Sequence, residues 1–272
     1  PDVLYDVPKM LFSSYGPLAL KWSYIPKMLN WFLHYFKNCN HKSMLHTAKY
    51  MHQILSLSND AYEEIFQEID VSGLVEKKGI IYVWTNKNLQ SRKLEIKIRN
   101  ELGIEQKLLS QKEVLNLEPN LAPVFDAGVI YESAMHARDP HGILKEIFKL
   151  FLKKGGKFVQ TNITSIEQTS YNETTIRSEK EKYKFEKSVI ASGAFSKKLT
   201  DQLGEKIPLD TERGYHVHFK GMDNLISRPV IFLDRGFGMT PMNQGLRAVG
   251  TVELGGLDNP PSSKRIEYVI KC

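Results

Sequence analysis

The hydrophobic period of this sequence changes at two adjacent glycines, Gly155-Gly156. Before them, Asp139-Pro140 opens a run of apolar residues at helical spacing: Ile143, Leu144, Ile147, Phe148, Phe151 and Leu152. Aspartate caps helices, proline suits the first turn and glycine suits the end, so this pattern predicts a helix. After the glycines the period becomes two, which predicts strands over residues 157–161, 163–168, 174–178, 183–185 and 187–191. A chain with both periods combines helices with a sheet, and the predicted class is α/β.

The rest of the pattern places most helices before this point and more strands after it. Helices are predicted over residues 43–69, 87–102 and 196–203, and a capping box over 110–113 marks the start of a short helix. Further strands are predicted over residues 80–84, 215–219, 229–233 and 246–253. Because no stretch rich in glycine, proline or serine divides the chain, we expect one interwoven body.

Composition and charge exclude several classes of protein. With 272 residues, of which 42% are hydrophobic and 25% charged, the chain is typical of a globular protein. The formal net charge is +6, but lysines alternate with acids, as in residues 179–182, so nucleic acid is not an expected partner. Cys39 and Cys272 are too few for a disulfide framework or a zinc site and favour a reducing compartment. His216 and His218 share one side of a predicted strand, but no acidic or cysteine cluster accompanies them, so no metal is expected.

The most apolar stretch, residues 17–36, contains Lys21, Pro26 and Lys27 and is therefore not predicted to cross a membrane. Within it, Leu29, Phe32, Leu33 and Phe36 fall on one helical face. Two interpretations remain open. The face packs on the core, or it lies at a membrane surface, because aromatic and basic residues surround it. Residues 1–9 lack the pattern of a secretory signal.

A turn of small residues is the strongest local candidate for a ligand site. The sequence contains no Gly-x-Gly-x-x-Gly, P-loop or Gly-x-Ser-x-Gly pattern. However, Ala191-Ser192-Gly193-Ala194 follows a predicted buried strand and precedes a predicted helix. Small residues at such a turn let the backbone approach a ligand closely.

This turn and several other segments together resemble FAD-dependent D-amino acid dehydrogenases. The segments are residues 17–18, Trp31, 38–40, 117–119, 139–140, 189–196, 206–216, 240–241 and 245–254. The resemblance covers the whole chain and extends to the wider family of FAD-dependent amine and amino-acid oxidoreductases. It implies a glutathione-reductase-type FAD-binding domain combined with an α+β substrate domain built on a mixed sheet.

The resemblance also implies a division of the chain. Residues 1–138 would form a mostly helical part of the substrate domain, residues 139–205 a segment of the FAD domain, and residues 206–272 the substrate-domain sheet. The family's glycine-rich unit would lie before Pro1. Its Gly-x-Arg-Pro segment, with a substrate-binding arginine, would lie after Cys272. We therefore expect this chain to be a central fragment that is inactive alone.

Site positions follow from the same resemblance. The implied cofactor-binding residues, for FAD, are Asn162, Thr164, Ala191, Ser192, Gly193 and Gly214. The implied substrate-binding residues are Arg213, Tyr215, His216, Thr240, Pro241 and Thr251. For Arg213 the alternative is a surface ion pair with Glu212 or Asp210. No catalytic residue is identified within the chain.

The implied activity is FAD-dependent oxidative deamination of D-amino acids, with electrons passed to a membrane or dye acceptor. One alternative is oxidation of glycine, sarcosine or another secondary amine, and another is a non-catalytic fragment or binding module. The implied partners are a D-amino acid and a quinone-linked acceptor. The expected location is cytoplasmic, with peripheral association on the inner face of the cell membrane as a further expectation.

Overall fold

The computed structural model describes residues 18–86 and 89–272, apart from the side chains of residues 89–91 and 169. Residues 1–9, for which the sequence predicts no secretory signal, lie outside the described residues. The first two residues of the helix predicted over 87–102 also lie outside them.

Both kinds of regular structure predicted from the sequence are present. The strands in the described residues are β1 (Leu18–Leu20), β2 (Val75–Glu76), β3 (Ile80–Trp84), β4 (Lys107–Ser110), β5 (Ala127–Tyr131), β6 (His136–Ala137), β7 (Ile163–Ser170), β8 (Glu173–Ser178), β9 (Lys182–Phe185), β10 (Arg213–Phe219), β11 (Val230–Phe232), β12 (Phe237–Met242) and β13 (Gly245–Leu254). The α-helices there are α1 (Ile25–Asn38), α2 (His41–Leu55), α3 (Ser58–Phe66), α4 (Leu89–Glu101), α5 (Gln111–Leu117), α6 (Pro140–Lys153), α7 (Ser196–Thr200) and α8 (Ser263–Lys271). The α/β class with a mixed sheet is confirmed.

Eight strands form the main sheet. Seven follow the order β1-β13-β12-β11-β3-β5-β4, and β10 pairs along the other edge of β13. The pairs β1–β13 and β11–β3 are parallel, whereas the others are antiparallel. A two-stranded sheet (β2, β6) and a three-stranded sheet (β7, β8, β9) complete the strands.

The two faces of the main sheet differ in how they are covered. One face, here called the helix-covered face, carries the apolar core, with Ile81, Val83, Val230 and Leu246 packed together with Val114 of α5. The same face extends across β10 and β13, where Tyr215 and Ala248 pack against Tyr268 and Val269 of α8. On the opposite face of β10, β12 and β13, Met242 is buried at a strand end, and the other side chains are half-buried or exposed; these are His216, His218, Thr240, Arg247 and Val249. We call this surface the open face.

Local capping signals are confirmed. Ser110 and Glu113 form the reciprocal capping box at the start of α5. At the start of α6, the Asp139 side chain accepts a hydrogen bond from Gly142 N, and Pro140 lies in the first turn.

Three predictions of regular structure are wrong. Residues 157–161 and 187–191 form no strand, and their apolar side chains stay exposed, with Val189 90% exposed and Phe158 62% exposed. A strand exists only where a neighbour completes its hydrogen bonds, and no strand in the described residues lies beside either segment. The helix predicted over 43–69 is divided into α2 and α3 at Ser56-Leu57. Serine side chains compete for backbone hydrogen bonds and favour helix ends over interiors.

Candidate functional site

The open face brings basic side chains from two strands together. Arg247 on β13 pairs with His218 on β10 and with Thr240 on β12. Residues directly opposite on adjacent strands have Cβ atoms about 5 Å apart, so these three side chains are neighbours. The rings of His216 and His218 lie 5.2 Å apart, and Arg247 Nη2 lies 3.4 Å from His216 Nδ1.

The surroundings of this cluster favour the uncharged form of the His216 imidazole. Burial lowers the pKa of the His216 imidazole, and the nearby charges of Arg247 and then His218 lower it further. A neutral imidazole has one nitrogen without a proton, and that nitrogen can accept a hydrogen bond from the guanidinium. Arg247 Nε is buried without a hydrogen-bond partner among the described residues.

Four of the six predicted substrate-binding residues lie on the other side of the sheet. Tyr215 packs against α8; its hydroxyl donates to Glu253 and accepts from Ser262 N at 2.9 Å. Thr251 pairs with Tyr215 on the helix-covered face and is 5% exposed. Pro241 is fully buried opposite Leu246. Only His216 and Thr240 lie on the open face.

Arg213 is the fourth predicted substrate-binding residue on the helix-covered face. Its partners are neither Glu212 nor Asp210, the acids expected from the sequence. Its Nη1 lies 3.8 Å from Glu253 Oε2, and its Nη2 donates to Leu257 O at 3.4 Å. The ion pair expected with Glu212 or Asp210 is therefore wrong. Glu253 is instead the acid directly opposite Arg213 in the β10–β13 pairing.

A polar cavity of about 510 Å³ lies where the small-residue turn approaches the ends of β10 and β13. Ala194 contributes to its wall, together with Asp210, Thr211 and the segment 255–259. Four lysines also line it: Lys21, Lys27, Lys197 and Lys198. Tyr24 donates a hydrogen bond to Asp210 Oδ1 at 3.1 Å, and burial together with this acid raises the pKa of the Tyr24 hydroxyl. Sequence reasoning missed these lysines, although Lys197-Lys198 begins only three residues after Ala194, the last residue of the turn.

None of the six predicted cofactor-binding residues is in the wall of this cavity, although Ala194, which is, directly follows three of them in the turn. Residues 191–194 are exposed, and Gly193 has φ +55° with open space where a side chain would begin. The Thr164 main chain is joined to the helical segment after this turn, because Gln202 Nε2 donates to Thr164 O at 3.4 Å. Asn162 precedes β7, and Gly214 is exposed on β10. The four lysines share the cavity wall with Asp201, Asp210 and Asp258, and Lys197 Nζ lies 3.9 Å from Asp201 Oδ1. The bare backbone of the turn, with the positive charge that the aspartates leave, fits a diphosphate and hence part of FAD.

Two kinds of feature are absent from the described part of the chain. It contains no group of three or more histidine, cysteine or acidic residues that could hold a metal ion. None of its helices is long and apolar enough to cross a membrane.

The family model described as FAD dependent oxidoreductase (DAO) matches residues 18–272. The chain belongs to this family of oxidoreductases, whose cofactor is FAD. The predicted family and cofactor are thereby confirmed.

Curated relatives match along nearly the whole chain. A D-amino-acid oxidase from Bradyrhizobium diazoefficiens is 30% identical over 270 residues, covering 99% of this chain and 64% of the relative. A D-amino acid dehydrogenase from Vibrio atlanticus is 26% identical over 280 residues, covering 100% of this chain and 67% of the relative. The chain thus spans about two thirds of the length of these relatives. Among solved structures, glycine oxidase from Geobacillus kaustophilus has a TM-score of 0.68 at 18% identity, covering 79% of this chain and 58% of that one.

Proposed function

We propose that this protein oxidatively deaminates D-amino acids with FAD as the hydride acceptor. The observation that carries the proposal is the 30% identity with a D-amino-acid oxidase over 99% of the chain. The open face supports it, because Arg247 offers a charge that suits the carboxylate of an amino acid.

The lysine-lined cavity and the open face would have separate roles. Lys197, Lys198 and the backbone of residues 191–194 would hold the diphosphate of FAD, whereas the open face would bind the substrate. The chemistry that bound FAD supplies is acceptance of a hydride from the substrate Cα; water then converts the imino acid to an oxo acid and ammonia. Orientation of the substrate is the main task that remains for the protein.

The substrate test uses protein produced from its complete reading frame and supplied with FAD. Dye reduction is measured with D-alanine, L-alanine, glycine and sarcosine at equal concentrations. We expect D-alanine to be the best donor. Faster reduction with glycine or sarcosine would favour the secondary-amine alternative, and protein without flavin absorbance after FAD addition would favour the non-catalytic alternative.

The lysine-lined cavity can be tested through cofactor binding alone. The double variant K197Q/K198Q removes two of the cations nearest the turn and should weaken FAD binding by about tenfold or more, since a hydrogen bond to a charged group contributes about 1.5–3 kcal/mol. The matched control is K180Q/K182Q, which changes two exposed lysines near β9. Equal FAD affinity in the two double variants would contradict the assignment.

We also propose that α1 and α2 bind an anionic lipid surface, which would bring the protein to a membrane acceptor. Residues 21–59 contain five lysines and no acidic residue. Leu29, Leu33 and Phe36 are 58%, 60% and 44% exposed, whereas Phe32 of the same face is half-buried, so the described chain covers this face only in part. An exposed apolar face flanked by cations is typical of interfacial helices.

Sedimentation with vesicles tests the lipid proposal. We expect binding to vesicles containing phosphatidylglycerol and little binding to pure phosphatidylcholine. L29S/L33S should reduce binding, whereas L144S, at an equally exposed leucine of α6, should not. Binding that is independent of both the lipid charge and the α1 substitutions would contradict the proposal.

A further inference from the structure

Two histidines lie at the edge of the exposed apolar face of α2. Leu45, Ile54 and Leu55 of this helix are exposed. His41 precedes Leu45 by four residues and His52 follows it by seven, which places these three side chains on one side of the helix. His41 is exposed and His52 is half-buried. The proposed lipid-binding surface therefore contains two imidazoles.

The charges closest to these imidazoles in the chain are positive. Lys49 precedes His52 by three residues, so this imidazole lies between a lysine and the apolar side chains. Within the part of the chain that the structure describes, His136 comes within 4 Å of a carboxylate oxygen, whereas neither His41 nor His52 does. The other charged side chains of α2 and of the adjoining ends of its neighbours are Lys42, Lys37 of α1, and Asp60, Glu63 and Glu64 of α3. An imidazolium at position 41 or 52 thus has no close anion in the described protein, and the headgroup of an anionic lipid can take that place.

The two imidazoles can change their charge near neutral pH, because the ordinary pKa of histidine is about 6.5. Lysine and the phosphodiester of phosphatidylglycerol keep their charges between about pH 7.5 and pH 5.5. A nearby negative charge favours the protonated form of an imidazole. Acidification therefore adds positive charge to the edge of the apolar face while the lipid stays anionic.

We propose that protonation of His41 and His52 regulates the binding of α2 to anionic lipid, so that the protein binds the membrane more tightly as the pH falls. The inference rests on the proposed lipid-binding surface and adds its regulation. Each cation near an anionic surface contributes favourably to binding, and two further charges should strengthen it by about 5- to 30-fold. A neutral imidazole, with an apolar body and a polar edge, remains compatible with its apolar neighbours.

Two further histidines of α1 and α2 lie off the apolar faces. His46 follows His41 by five residues and precedes His52 by six, so it lies on another side of α2, where its ring is 4.5 Å from that of Tyr50. His34 of α1 has Nδ1 2.9 Å from Asn30 O of its own helix. His46 is exposed on the same helix as the proposed pair and is therefore the matched control.

Vesicle binding at two pH values tests the proposal. The complete protein with FAD is mixed with phosphatidylcholine vesicles that contain phosphatidylglycerol, at about pH 7.5 and about pH 5.5 and at constant ionic strength. Wild type should bind about 5- to 30-fold more tightly at the lower pH. H41Q/H52Q should lose most of this increase, whereas H46Q should retain it. Equal binding of the wild type at both pH values, or an equal increase in H41Q/H52Q, would overturn the proposal.

A second measurement avoids acid and its effect on folding. H41R/H52R carries permanent charges at the two positions and should bind these vesicles at about pH 7.5 about 5- to 30-fold more tightly than the wild type. H46R, with its charge on another side of the helix, should add little. No gain in H41R/H52R would overturn the regulation. Binding by every variant that ignores the phosphatidylglycerol content would instead contradict the lipid-binding surface itself.

Discussion

At the scale of single residues, the side of the sheet on which a side chain lies decides its role. Tyr215 and His216 are adjacent, yet Tyr215 lies under α8 and His216 lies on the open face. Alternation along a strand predicts that they point apart, but it does not predict which side is covered. That depends on α8, which is distant from β10 in sequence.

The substitution Tyr215→Phe tests whether Tyr215 stabilises the fold or binds the substrate. The hydroxyl joins Glu253 to Ser262 N, so its loss removes one donor from a partly buried acid and leaves a backbone N–H without its acceptor. We expect the free energy of unfolding to fall by about 1–3 kcal/mol, with KM unchanged. Urea denaturation measures the first, and Y171F, at a tyrosine that is 94% exposed, is the control. A raised KM with unchanged stability would instead support the substrate-binding role predicted from the resemblance.

His136 makes stability depend on pH. The side chain is 8% exposed, and both ring nitrogens lack hydrogen-bond partners among the described residues. Burial lowers the pKa of this imidazole; Glu76 opposes the shift, and Arg138, Lys78 and Arg228 reinforce it. The folded state therefore stays neutral where the unfolded state, with a pKa of about 6.5, gains a proton.

Because the unfolded state binds more protons than the folded state in acid, lowering the pH favours unfolding. Stability should fall as pH decreases below about 6.5, with a slope of at most about 1.4 kcal/mol per pH unit from this group. H136Q should remove this part of the dependence. Urea unfolding of both proteins between about pH 7.5 and pH 5.5 measures it. Parallel pH profiles for wild type and variant would contradict the prediction.

At the scale of elements, signals that act within a few residues were predictable from the sequence. The capping box at Ser110 and the Asp139-Pro140 start of α6 depend only on neighbouring residues, and both are present. The strands predicted over 157–161 and 187–191 depend on a hydrogen-bonding neighbour distant in sequence, and they did not form. The four cavity lysines likewise come from two separate parts of the chain.

Ser110→Ala tests the local cap. It removes the oxygen that accepts a hydrogen bond from Glu113 N and leaves Glu113 without the serine hydroxyl. We expect the free energy of unfolding to decrease by about 1 kcal/mol. Chemical denaturation of this variant is compared with that of K112A, at an exposed lysine of the same helix. Equal stabilities would show that the box contributes little.

At the scale of the whole molecule, helices cover one face of the main sheet and leave the other face open. The family, the fold class and FAD were predictable, because the segments that carry the resemblance extend over the whole chain. The role of Arg247 was not, because this residue and its neighbours come from three strands that only the folded sheet brings together. The division into residues 1–138, 139–205 and 206–272 remains a prediction.

Exposed apolar side chains mark where the chain would make further contacts. Leu144, Phe148 and Phe151 of α6 are exposed, as are Phe158 and Val189 in the two segments that did not form strands. Contiguous apolar surface of this kind is usually covered in a folded protein.

The central claim, that this protein oxidises D-amino acids with FAD on the open face of its sheet, is tested most directly by anaerobic flavin reduction. The complete protein with FAD is mixed with D-alanine, L-alanine or buffer, and the loss of oxidised flavin absorbance is followed in wild type and R247Q. With D-alanine we predict rapid loss in the wild type and slow loss in R247Q, which is the result expected if Arg247 binds the α-carboxylate. With L-alanine we predict slow loss in both proteins. Flavin that binds but is reduced by neither enantiomer would contradict the account.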